Sequence, residues 1–105
     1  MAFFDEQCSA TPAKLGKIEA EMLASELNDW IVVDDQLEKT FRFKNFHETM
    51  AFVNAVAWIA HTQDHHPDMD VTYSRCRLVW STHSTGGISR NDIICAAKVD
   101  RLLNK

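Results

Sequence analysis

Between Phe46 and Ala60 the residues Phe46, Met50, Val53, Val56, Ala57 and Ala60 recur at helical spacing, and Pro67 limits how far that run can extend. Proline donates no backbone hydrogen bond and pushes the residue before it out of the α region, so the helix should run to about Gln63 and end around His65-His66. On both sides of this run the apolar period drops to two. Trp30-Ile31-Val32-Val33 is rich in β-formers, Asp34-Asp35-Gln36 supplies turn chemistry, and Leu37 to Phe43 alternates with Leu37, Phe41 and Phe43 in phase. Lys39 breaks that phase. Beyond Pro67, residues 70–74 and 76–83 read as a second pair of strands, with Leu78, Trp80 and Thr82 on one face and Val79, Ser81 and His83 on the other.

The outer segments complete the pattern. The first ten residues read as a flexible arm. Thr11-Pro12 is a helix-start signal, followed by Leu15, Ile18, Met22 and Leu23 at helical spacing until Asn28-Asp29. Gly86-Gly87 makes a flexible loop. Ser89 and Asp92 form a capping box for a last helix whose stripe is Ile93, Ala96, Val99 and Leu103. Asp100 interrupts that stripe, which predicts a helix covered on only half its surface. The order α-β-β-α-β-β-α predicts a single α+β domain over residues 11–105. Its four-stranded antiparallel sheet carries the helices packed on one face. The open sheet edges and the other face predict pairing into a homo-oligomer, dimer or tetramer.

A length of 105 residues supports one core, and 46% hydrophobic with 25% charged residues is the balance of a folded globular chain. The net charge of -4 and the scattered Lys and Arg residues argue against nucleic acid as a ligand. Cys8, Cys76 and Cys95 are odd in number and share no close spacing, so they read as reduced thiols, with Cys76 and Cys95 buried and inert. Neither a secretory leader nor an apolar run near the ~20 residues of a membrane span is present in the sequence, and a cytoplasmic location is expected.

The chemistry concentrates in the histidines. Four of the five fall between positions 61 and 83. His61 and His65 lie four apart on a helix, His66 follows on a turn set by Pro67, and His83 lies where a strand gives way to a loop. A helix end and a strand end can converge on one pocket, and imidazoles there suit proton transfer in both directions near neutrality. A lone histidine near a helix end commonly does no more than interact with the helix dipole, and His47 is read that way. The competing reading is a metal hydrolase using His61, His65 and His83, with Asp64, Asp68 and Asp70 nearby. Its weakness is that the glutamate of a His-Glu-x-x-His helix is missing.

Asp64-His65-His66-Pro67, then Tyr73, then Ser81-Thr82-His83, then Asp92 together resemble the signature of the pterin-4a-carbinolamine dehydratases. Trp30, the stretch 41–46 and the helix through Phe52-Val53 are similar to that family too, so the likeness covers about residues 30–102. The resemblance implies loss of water from a 4a-hydroxytetrahydropterin to give quinonoid dihydropterin, with no metal and no organic cofactor. It also implies a functional link to an aromatic amino acid hydroxylase, which generates that substrate. On this reading His65 and His83 perform the two proton transfers, and His66 binds and orients the pterin. Asp64 is a candidate for holding an imidazole tautomer. Asp92 divides evenly between substrate binding and capping. Trp30 and Trp80 offer a stacking face, although core packing is the better expectation for both. Where the family often carries an acidic residue, four before the first motif histidine, this chain has His61. Some relatives on this fold serve as dimerisation or assembly cofactors without turnover, which is the alternative function.

Overall fold

The computed structural model of the chain describes residues 2–103, so the outermost residues of the expected arm and domain, 1 and 104–105, lie outside it. Three helices, α1 (Lys17–Ala24), α2 (Phe46–Gln63) and α3 (Arg90–Leu103), accompany four strands, β1 (Ile31–Val33), β2 (Gln36–Arg42), β3 (Asp68–Val71) and β4 (Arg75–Trp80). The sheet is antiparallel throughout, in the order β1-β2-β4-β3, with the helices packed on one face. The first hairpin closes through Asp34 and Asp35, both with positive φ (51° and 61°), the two-residue turn whose twist matches that of its strands.

Helix α1 starts five residues later than the Thr11-Pro12 signal predicts. Residues 14 and 15 are taken by tertiary pairing: the Leu15 N–H donates to the Ile88 carbonyl at 2.8 Å, and Lys14 bridges Ser89. Gly16 is therefore the N-cap. The buried face also differs, since Ala20 and Ala24 go inward while Ile18 and Met22 stand 74% and 64% exposed. The same rotation affects α2. Thr49, Phe52 and Val56 face the core, because Phe52 joins Phe41 and Phe43 at ring separations of 4.6 and 5.0 Å, whereas Phe46 and Ala57 face out.

The two interruptions noted in the sequence explain each other. Lys39 on β2 and Asp100 on α3 meet across the core edge, Nζ to Oδ1 at 2.8 Å, and the Trp30 indole N–H donates to the same carboxylate at 3.0 Å. The Lys39 ammonium also lies 4.8 Å from the Phe41 ring centroid. Thus a charge that looked out of phase is paired inside.

Helix α3 is enclosed further than its stripe predicts. Ile94, Cys95 and Ala97 are buried as well as Ile93, Ala96 and Val99, while Leu103 is half exposed. The N-terminal arm, expected to be loose, is laid along this helix and supplies the extra cover. Glu6 accepts two bonds from the Arg90 guanidinium at 2.7 and 2.8 Å, and Lys98 Nζ donates to the Phe4 carbonyl at 2.9 Å.

Candidate active site

Helix α2 runs directly into the histidines, and its end fixes their direction. It stops at Gln63, as the apolar run predicts, because Asp64 adopts the left-handed conformation (φ 52°). The Asp64 N–H then reaches the His61 carbonyl (3.3 Å) and the His65 N–H the Ala60 carbonyl (3.1 Å). This is a Schellman closure with aspartate where glycine is usual. The chain turns at once, so His65 goes inward and His66 outward, and β3 begins right after Pro67.

His65 is the enclosed member, its side chain 13% exposed. Its ring lies parallel to Trp80 at 5.5 Å, and Nε2 meets Asp92 Oδ1 at 2.5 Å. Asp92 is fully buried on the first turn of α3. Its second oxygen accepts from the Ser89 N–H at 2.9 Å and from the Thr82 hydroxyl at 2.8 Å. Because Thr82 has one proton and gives it to Asp92, the 2.7 Å contact between Thr82 and Ser89 must be donated by Ser89, whose oxygen in turn accepts from the Asn91 N–H at 3.2 Å. A chain of donors thus converges on one carboxylate. Oδ2 caps the helix, one of the two sequence readings of Asp92, and Oδ1 holds the imidazole, the part the sequence had offered to Asp64.

The electrostatic outcome favours a charged ring. Burial pulls the pKa of His65 down, but the hydrogen bond to Asp92 and its charge, helped by Cys8 and Asp64, outweigh that and leave it above the ordinary histidine value. With Nε2 committed to Asp92, proton exchange with a ligand falls to Nδ1.

The exposed members face each other. Strand β4 ends at Trp80, Thr82 bridges Gly87, and residues 83–85 make a short 3-10 turn, so His83 stands just past the strand. Its ring centroid is 6.4 Å from that of His66. Shallow clefts flank the group. One of about 360 Å³ contains His61, His65 and His66, and another of about 310 Å³ contains Cys8, Asp64 and His65.

The other candidates are placed differently. Asp64 is exposed at the helix end. Trp30 is 5% exposed with its N–H bonded to Asp100, a position in the core among the α1, β2 and α3 side chains. His61 is exposed and lies against Trp58 at 5.3 Å. Tyr73 sits on the β3–β4 turn, its carbonyl bonded to Thr49 near the start of α2. Thr49 lies 14 residues before the end of α2, about 21 Å from it at 1.5 Å per residue. Among the described residues no three His, Cys, Asp or Glu side chains converge as a metal site requires. Thr82, Ser89 and Cys8 are site neighbours that the histidine-centred reading passes over. The phase of Thr82 with Leu78 and Trp80 was the available signal.

The sequence profile of the family described as Pterin 4 alpha carbinolamine dehydratase matches residues 13–102. The chain belongs to this family. A Nitrosomonas eutropha protein named "Putative pterin-4-alpha-carbinolamine dehydratase" is 54% identical over 97 residues, covering 91% of this chain and 86% of its own length. A Legionella pneumophila (strain Corby) protein of the same name is 48% identical over 101 residues, with 93% and 89% covered. Among solved structures, the transcriptional coactivator/pterin dehydratase from Brucella melitensis matches with a TM-score of 0.81 at 30% identity, over 85% of this chain and 97% of that one. A pterin dehydratase-like protein identified as a RuBisCO assembly factor in the alpha-carboxysome matches at 0.61 and 21% identity, over 75% and 92%, a likeness of fold. The four-stranded sheet with helices on one face is therefore the pterin dehydratase fold.

Proposed function

We propose that this chain dehydrates a 4a-hydroxytetrahydropterin to quinonoid dihydropterin by histidine acid-base catalysis. The observation that carries the reading is the His65–Asp92 pair, whose buried carboxylate favours the protonated form of an imidazole that has two exposed ones nearby. In the reaction the C4a–O bond breaks, and the departing oxygen takes its electron pair and a proton. The ring N–H proton leaves at the other side, and its electron pair forms the new double bond. The raised pKa of His65 suits it to give the proton to the leaving hydroxyl. His83, exposed with its ring 6.4 Å from that of His66, suits removal of the ring proton. His66 lies between the two in sequence and beside His83 in space, and serves to bind and orient the flat ring. The imidazole at position 61 replaces the family's usual carboxylate at the rim and bears on rate and pH optimum.

The retention of His65, His66 and His83 favours turnover over a purely assembly role on the same fold. A coupled assay with enzymatically generated 4a-hydroxytetrahydropterin tests the assignment. His65→Ala and His83→Ala should each lower kcat by about 10²–10⁴-fold, and His66→Ala should chiefly raise KM. Unchanged rates in the first two variants would refute the roles.

A further inference from the structure

At the edge of the histidine site, two thiols meet that the proposed reaction does not use. Cys8 on the arm and Cys95 on α3, 87 residues apart in sequence, bring their sulfurs within 3.5 Å. The arm is held there by flanking bonds. The Cys8 N–H donates to the Gln63 side chain at 2.9 Å, while Ser9 exchanges two 2.9 Å bonds with the Asn91 side chain. Cys95 is fully buried, whereas Cys8 is half-buried and lines the same cleft as His65. The third thiol, Cys76, is buried in β4.

We propose that Cys8 and Cys95 form a reversible, peroxide-reactive dithiol whose disulfide straps the N-terminal arm to α3 at the mouth of the His65 cleft. The two sulfurs have different jobs. The hydrogen bond from Cys95, followed by the charges of His65 and Lys98, holds the Cys8 thiol below its ordinary pKa against burial and the charge of Asp92. Cys95 is pushed up by the bond to Cys8 and by burial, so it keeps its proton. The thiolate of Cys8 is the accessible nucleophile. It attacks one oxygen of a hydroperoxide: the S–O bond forms, the O–O bond breaks, and the other oxygen leaves as hydroxide and takes a proton from water. Cys8 becomes a sulfenic acid and the peroxide is reduced. The Cys95 sulfur then attacks that sulfur, the S–O bond breaks, and the departing hydroxide takes the Cys95 proton and leaves as water. The sum is two thiols and one peroxide giving one disulfide and two waters. Side-chain rotation must bring the sulfurs from the 3.5 Å contact to bonding distance.

The test is hydrogen peroxide added to the reduced, full-length protein, followed by intact mass and peptide mapping. We expect a loss of two hydrogens, one crosslinked peptide joining Cys8 to Cys95, and full reversal by dithiothreitol. The oxidised protein should also unfold at higher denaturant than the reduced one, because a long loop has been closed. Cys8→Ser, an arm substitution that leaves the core intact, should yield no intramolecular crosslink. Addition of oxygens to Cys8 with Cys95 still free, or crosslinks only between chains, would overturn the proposal.

Discussion

Replacing Asp92 by asparagine separates the carboxylate's two tasks. The Ser89 N–H and the Thr82 hydroxyl both require an acceptor, so the amide oxygen should take the Oδ2 position and the NH₂ group should face His65. An N–H pointing at Nε2 excludes the imidazolium and forces the ring proton onto Nδ1. The hydrogen bond and the charge of Asp92 that raise the pKa of His65 are then gone, and burial is opposed only by the charges of Cys8 and Asp64, so it falls. The variant should keep its cap but lose the acid. The expected fall in kcat is ~10²–10⁴-fold, the usual contribution of one general acid. Loss of a charge-assisted hydrogen bond costs about 2 kcal/mol, which for a chain this short lowers Tm by roughly 10 °C. Since small domains have about 5–15 kcal/mol of stability, the protein should remain folded at 25 °C and the kinetics should be interpretable. Ser89→Ala is the partner control: it disturbs the cap and the hydroxyl chain without touching His65, and should lose stability with most turnover kept. A folded Asp92→Asn protein turning over within about twofold of wild type would refute the proton-transfer role of the pair.

Linkage gives the pH dependence. Folding raises the pKa of His65, so the stability contributed by that group is fully present below about pH 6.5 and is lost as pH rises through the higher folded value. Thermal unfolding of the wild type across that window should show the loss, and Asp92→Asn should flatten it. Asp100→Ala strands both the Lys39 ammonium and the Trp30 N–H, and should cost about 2–4 kcal/mol; Lys39→Met should cost clearly less, as denaturant titrations would reveal. Asp64→Gly relieves a left-handed non-glycine residue and should gain about 0.5–1 kcal/mol in the same titration. If Asp64 also contacts the pterin, KM rises in that variant while stability increases.

The alternation of β2 and β4, the helical run into Pro67 and the Ser89–Asp92 box were legible because each is a local pattern with a local cause, whereas β3 lies at Asp68–Val71 rather than at 70–74. The face of α1 was not, and that of α2 only in part: Val53 and Val56 lie at the core, Phe46 and Ala57 do not. Periodicity marks Ile18 and Met22 as apolar, but two small alanines and a ring cluster around Phe52 decide which side is covered. The start of α1 was lost to long-range pairing of Leu15 with Ile88, which a Thr-Pro signal cannot register. Lys39 and Asp100 each looked like errors in their own element; only the fold brings them together. In the site, the histidines announced themselves by spacing. Tyr73 belongs to the same signature, yet lies at the opposite end of α2. Thr82 and Cys8 act through contacts across 10 and 87 residues, which no motif of short range contains.

The division of labour at Asp92 bears on how such a chain could change over generations. If the proposed reaction holds, drift at this position is penalised twice, once in turnover and once in the start of α3, so selection for mere persistence of the fold would still preserve it. His66 and His83 stand exposed, and substitutions there leave the core alone. A lineage released from the reaction would therefore shed its outer histidines first and carry the buried carboxylate onward as a relic. The outer pair, not Asp92, is the place to look when deciding whether a descendant still performs the chemistry.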